Sequence, residues 1–169
     1  MDLHEFLEKE SIRELRYAYS ACIDGQDYAR LATLFAEDAV CEFGKEFGGD
    51  WVGRETIATN YRSVMATYGG PFEVIHVVTN PLITLTGPYT ARGRWYLLDL
   101  LHRQQPGTPA VTAGGETNPL LYTAIYEDEY RKVDGRWLFS RIRIHLLWPM
   151  RTLRDPSGLR PAGGDQQEA

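Results

Sequence analysis

The chain is poor in several features that would narrow its chemistry at once. It has two cysteines, Cys22 and Cys41, in 169 residues. Both sit among apolar neighbours and make neither a disulfide framework nor a zinc site, so two buried free thiols are expected. His, Cys and carboxylates do not cluster at metal-ligand spacing, and no metal is expected. No basic cluster follows a phosphate backbone: 18 Lys and Arg stand against 23 Asp and Glu, a net charge of −5, which argues against nucleic acid. No apolar run approaches the roughly 18 residues that cross a bilayer. The first residues, MDLHEFLEKESIREL, are acidic and helical rather than a signal peptide. A soluble, cytoplasmic chain without a membrane partner is the expectation. Internal repeats and domain linkers are absent too.

What is present is apolar and aromatic, at 43% and 12% of the residues. A chain of 169 residues can bury about two thirds of its unfolded surface in one core. A single domain over 1–150 and a tail over 151–169 are therefore expected. Ile12, Leu15, Tyr19, Cys22 and Ile23 recur at the spacing of one helix face, and Asp24-Gly25 closes that helix. Its start is open between Ser11, which forms a capping-box pattern with Glu14, and Asp2. Asp27 caps a second helix with Leu31, Leu34 and Phe35 in one stripe, ending at Glu37-Asp38 before an extended 39–43. A glycine-rich turn over 44–53 returns Trp51 and Val52 as a short strand, and 54–68 reads as a third helix. Strands follow over 72–80, 82–86, 90–102, 120–133 and 137–147, the last two joined at Asp134-Gly135. Residues 104–118 read as a long loop, of the kind that serves as a lid or is disordered. Helices followed by a run of strands predict an α+β fold. In it a strongly bent antiparallel or mixed sheet wraps about three N-terminal helices as an open cone, with Gly93 marking a bend.

Within this frame His76 stands out. In FEVIHVVTN it shares a strand face with Val74 and Val78, while Ile75 and Val77 point the other way. Both faces are apolar, and an unpaired imidazole there costs about 1–3 kcal/mol. His76 is either a core histidine bonded to a backbone carbonyl or a base with a carboxylate partner. Asp24 is the candidate partner, or else mere punctuation at a helix end. A buried His oriented by an Asp is the minimal equipment for moving protons near neutral pH. Tyr19 either donates its hydroxyl to a substrate carbonyl or packs in the core. Asp99, flanked by leucines and in phase with Trp95 and Leu97, either lines a cavity or meets an arginine. Arg141 and Arg143, in phase with Trp137, Phe139 and His145, pair with Asp99, hold an anionic substrate group, or form an exposed stripe. The same phase turns Ile142, Ile144 and Leu146 outward, an apolar face that suggests self-association. Trp51, Trp95, Tyr96, Phe72 and Trp148 are available to line an apolar pocket. His4, His102 and His145 show no partner and stay outside the candidate site.

The order of these pieces resembles the SnoaL-like branch of the nuclear transport factor 2-like superfamily over roughly 5–148. It runs from a helix ending ID-GxD, through LFAEDA, the glycine-rich hairpin and the IHxxTN strand, to Y-xx-RKVDGRWLFSR. Ile75-His76-Val77-Val78-Thr79-Asn80 and Asp24 are similar to the His–Asp dyad of its hexachlorocyclohexane dehydrochlorinase, scytalone dehydratase and bile-acid 7α-dehydratase members. The resemblance implies a cone-shaped, cystatin-like α+β barrel with a deep apolar cavity, no cofactor, and a homo-oligomer, a trimer before a dimer. It implies His76 as base and Asp24 as its orienting carboxylate. Tyr19, Asp99 and one of Arg141 and Arg143 look like the further polar residues of such a pocket. The expectation is a cofactor-independent lyase of dehydratase type, acting on a small apolar cyclic or polycyclic substrate. An isomerase or polyketide-type cyclase is an alternative, and so is a non-catalytic ligand-binding or accessory module. The loop 104–118 and the Trp148-Pro149-Met150 ending set the chain apart from those enzymes, so no single relative supplies its substrate.

Overall fold

The structure, a computed structural model, describes residues 2–101, 121–148 and 151–153, except the Glu46 side chain. Helix α1 (Leu3–Asp24) starts at the earlier of the two expected caps, where the Asp2 carboxylate accepts from the Glu5 N–H at 2.8 Å. Ser11 instead lies inside the helix, its hydroxyl donating to the Leu7 carbonyl. Asp27 caps α2 (Tyr28–Ala32) by accepting from the Arg30 N–H. That helix is shorter than its apolar stripe suggests. Leu34 and Phe35 are taken by the sheet: the Phe139 N–H donates to the Leu34 carbonyl at 2.9 Å, and β1 (Phe35–Glu42) begins there. A 3₁₀ turn at Lys45–Phe47 leads to β2 (Trp51–Val52), and α3 (Arg54–Met65) follows.

Four long strands complete the chain: β3 (Val74–Gly87), β4 (Thr90–Leu101), β5 (Leu121–Val133) and β6 (Arg136–Trp148). The two strands expected over 72–80 and 82–86 are one, β3. Its register with β4 shifts between Thr79 and Leu82, where Asn80 takes φ +53° and Pro81 has no N–H to donate. A bulge there lets proline interrupt the ladder without ending it. The six strands run in the order β2-β1-β6-β5-β4-β3, with β1 parallel to β6 and every other pair antiparallel. The sheet is curved, mixed and open at both edges, not a closed barrel. α1 packs against β3 and β6, and α3 against β1 and β2. Ile12, Tyr19, Ile23, Phe35, Trp95, Phe139 and Ile142 are fully enclosed between these layers.

Gly93 keeps its register with both neighbouring strands, so it marks no bulge. A Cβ at this position would stand 2.9 Å from the Tyr130 hydroxyl and 3.0 Å from Trp95 Nε1. Glycine is what lets those two side chains close over the strand.

The phase expected for β6 is corrected by one residue. Phe139 faces Tyr130 and Arg141 faces Glu129, so Ser140 is an extra residue without a partner on β5. An inserted residue reverses the alternation beyond it. Trp137 and Phe139 point inward before the bulge, and Ile142, Ile144 and Leu146 point inward after it. The apolar outer face that suggested self-association is therefore an inner face. Arg141, Arg143 and His145 take the outer one. Among the described residues, no helix is long and apolar enough to cross a membrane. His102, the loop 104–118, Pro149, Met150 and all of the tail beyond 153 lie outside the described residues.

Candidate active site

The end of α1 and the start of β3 are tied together at Asp24. Its backbone carbonyl accepts from the Phe72 N–H at 2.7 Å, and Phe72 takes φ +63° to reach it. Its carboxylate accepts from the His76 backbone N–H at 3.1 and 3.2 Å and lies 2.6 Å from the ring Nδ1. A carboxylate so close fixes the proton on Nδ1, which donates, and leaves Nε2 with its lone pair. On β4, Asp99 is the register partner of His76. Asp99 Oδ1 stands 3.6 Å from Nε2, beyond hydrogen-bond range, and has no hydrogen-bond partner among the described residues. The His76 and Asp24 side chains are 9% and 10% exposed, and that of Asp99 is 20% exposed.

Burial alone would push the His76 imidazole down. The Asp99 charge, then the hydrogen bond and charge of Asp24, outweigh it, and the net shift is upward from 6.5. Burial pushes the Asp99 carboxyl up to about 6, against the pull of His76 and with the help of the Asp24 charge. His76 and Asp99 are close enough for the protonation of one to depend on that of the other.

His76 and Asp99 form the acid–base end of a cavity of about 490 Å³, a size that suits a small organic ligand. The rest of its wall is largely aromatic and aliphatic. Phe43, Trp51, Tyr61, Tyr122 and Tyr126 line it, with Ile144 and Leu146 from β6 beyond the bulge. Such an arrangement can take a proton from an apolar molecule held against Nε2. Among the described residues, no group of three or more His, Cys or carboxylate side chains is disposed to hold a metal ion.

The remaining expected residues divide. Trp51 lines the cavity. Trp95 has the expected inward phase but lies deeper, fully buried, with Nε1 donating to the Tyr130 hydroxyl at 2.9 Å. Tyr19 lies behind the wall: its hydroxyl bonds that of Tyr61, and its ring packs on Phe35 and Phe139. Arg141 and Arg143 meet neither Asp99 nor the cavity. Both pair with Glu42 on the outer face and are 40% and 44% exposed, the Ser140 bulge having turned them away. His145 pairs with Glu127 at 2.8 Å on the same face, and Phe72, Tyr96 and Trp148 are exposed.

Sequence reasoning missed Tyr126 and Tyr122 in the wall, and read Tyr61 only as part of a helix stripe. It also missed Arg16, fully buried, with its guanidinium 3.6 Å over the Tyr126 ring and 3.6 Å from Asp128. The signals were present. Arg16 keeps helical step with Ile12, Tyr19 and Ile23, and Tyr126, Asp128 and Tyr130 alternate onto one face of IYEDEY.

The SnoaL-like domain model matches residues 4–143. A protein of unknown function from Mycobacterium tuberculosis is similar at 25% identity and a TM-score of 0.67, over 85% of this chain and 74% of that one. Hexachlorocyclohexane dehydrochlorinase from Novosphingobium barchaimii is 21% identical, with a TM-score of 0.67 over 92% of this chain and 100% of the other. A protein from Novosphingobium aromaticivorans whose name likens it to scytalone dehydratase is 21% identical, with a TM-score of 0.68 over 85% and 86%. The two likenesses at 21% identity speak for the fold. The match over 4–143 speaks for the family: this chain belongs to the SnoaL-like domain family, with the cystatin-like, nuclear transport factor 2-like fold of its structural neighbours.

Proposed function

We propose that the protein is a lyase that removes the elements of water from a small apolar cyclic or polycyclic molecule. His76 Nε2 takes a proton from a carbon next to an electron-withdrawing group. The electron pair of the broken C–H bond forms the new C=C bond as the hydroxyl on the adjacent carbon leaves. The imidazolium returns its proton to that hydroxyl, and the products are an alkene and water. Asp24 keeps the Nδ1 proton in place and supports the imidazolium, the part an aspartate plays beside histidine in hydrolytic triads. Asp99 adds a second negative charge on the Nε2 side, next to where positive charge develops.

The observation that carries this reading is the 2.6 Å contact of Asp24 with Nδ1, combined with the place of His76 in the wall of a 490 Å³ cavity. A protein that only stores or carries a ligand has no use for an imidazole held between two carboxylates. The fold-level likeness to a dehydrochlorinase supports elimination as the reaction type. An isomerase or cyclase would use the same base, and a product lighter by one water separates elimination from both.

The test is His76→Ala assayed against a panel of cyclic β-hydroxy ketones. A positioned general base supplies about 10²–10⁴-fold, so turnover should fall at least that far while the fold is retained. Wild-type turnover in the variant would sink the mechanism.

A further inference from the structure

The proton transfers above leave Arg16 without a task, and stability does not supply one. Arg16 is fully buried, and none of its three side-chain nitrogens has a hydrogen-bond partner among the described residues. Asp128 Oδ2 stands 3.6 Å away, beyond hydrogen-bond range, and already accepts from the Tyr130 hydroxyl at 2.7 Å. Burial alone would pull the guanidinium down. The Asp128 charge, then Tyr126, Tyr19 and Tyr130, outweigh it, and Arg16 stays a cation. A buried pair held this loosely is commonly replaced by apolar residues with no loss of stability.

Its place relative to the cavity sets it apart. The guanidinium carbon lies 3.6 Å from the centre of the Tyr126 ring and 4.4 Å from that of Tyr19. Tyr126 belongs to the cavity wall and Arg16 does not, so the charge stands one ring behind the wall. On α1, Arg16 and Asp24 are eight residues apart, about 12 Å along the axis. On the sheet, the row of Asp99 and Tyr122 lies four residues from the row of Trp95 and Tyr126, about 13 Å along the strands. The cavity therefore has carboxylates at one end and a hidden cation toward the other. Among the described residues, its lining includes neither Lys nor Arg, so no nearer positive charge competes. Behind burial and the charges of nearer groups, Arg16 also acts against the proton on both His76 and Asp99, which shows that its field reaches the acid–base end.

We propose that Arg16 acts on the reaction at a distance: from behind Tyr126, its buried charge stabilises the negative charge that gathers on the bound molecule as His76 takes a proton. This rests on the elimination reading. There the proton passes to Nε2, and the electron pair it leaves spreads onto the electron-withdrawing group until the hydroxyl departs. The Asp99 charge repels that group and so turns it toward Tyr126. A fixed charge in a dry wall needs no reorganisation to meet it. At about 8 Å, with an effective dielectric constant of about 20 and part of the effect offset by Asp128, one charge changes such an equilibrium about tenfold. Arg16 is thus a positioning residue for charge and touches no substrate.

The probe is 2-naphthol, a neutral phenol that becomes an anion while bound. The measurement is the pH at which the bound probe is half ionised, followed by absorbance. In Arg16→Met that pH should rise, with about tenfold less naphtholate at a given pH. In Asp128→Asn, which keeps an acceptor for Tyr130 and removes the counter-charge, it should fall. Damage to the packing would not give shifts of opposite sign. An unmoved value in either variant, a rise in Asp128→Asn, or a wild-type protein that takes up no naphthol would each overturn the proposal. Either variant decides alone if the other does not fold. The difference made by Arg16→Met should persist on a His76→Ala background, so loss of the base and loss of the distant charge are read separately. With substrate, Arg16→Met should lower kcat about tenfold and leave KM near its wild-type value.

Discussion

Two buried charge clusters share the inner face of this sheet. Asp24, His76 and Asp99 border a void of about 490 Å³. Arg16, Asp128, Tyr130 and Trp95 are closed in, the guanidinium stacked on Tyr126 and the Tyr130 hydroxyl donating to Asp128 at 2.7 Å. Each cluster pairs a cationic or protonatable group with a carboxylate on an element far away in sequence. Burial lifts the Asp99 and Asp128 carboxyls alike to about 6. The difference is what stands next to the last polar atom. His76 lines empty space that a molecule can occupy. The Arg16 nitrogens have no hydrogen-bond partner among the described residues and are covered by aromatic rings. Charge beside a void can move a proton; the same charge without one can only lend its field, hold the core together or strain it.

That contrast can be broken at its closed end first. Asp128→Ala leaves Arg16 as an uncompensated buried cation and should destabilise the protein by about 3–5 kcal/mol, read as a shift in urea unfolding. Little loss would mean that the aromatic faces alone hold the guanidinium. The open end responds in pH rather than in stability. His76 acts as a base when neutral, so kcat/KM should rise with pH through its upward-shifted titration. The Asp99 charge is the foremost cause raising that value. Asp99→Asn should therefore move the acid limb to lower pH, and an unmoved limb would uncouple Asp99 from the imidazole. The smallest effects belong on the outer face. Arg141→Ala and Arg143→Ala remove half-exposed partners of Glu42 and should change stability by less than about 0.5 kcal/mol. Their turnover should stay at the wild-type level; a large loss would place an arginine in the cavity after all.

The contact between Asp24 and His76 is legible in the amino-acid sequence because it joins two strong local signals. One is a helix stop at Asp24-Gly25, and the other is a histidine in an unbroken apolar strand. Trp95 and Asp99 are legible as inward for the same reason, since β4 keeps its register with β5 along its length. Depth is not legible. Trp95 and Asp99 share a face, yet only Asp99 reaches the void, and Tyr19 is screened by Tyr61. The arginines are misplaced for a different cause. Counting by twos from Trp137 runs through Ser140 without notice, because a bulge is visible only against the partner strand.

Composition and local periodicity by themselves determined the helices, the strands, the apolar faces and the short list of residues able to move a proton. Those properties repeat along the chain, every two or every 3.6 residues, and need no neighbour to be counted. The tertiary structure alone decided that Leu34 and Phe35 leave the helix for the sheet, which face Arg141 and Arg143 take, and which tyrosines border the cavity. Each of these depends on how separate elements pair and on the space they leave between them, and no single segment carries that information.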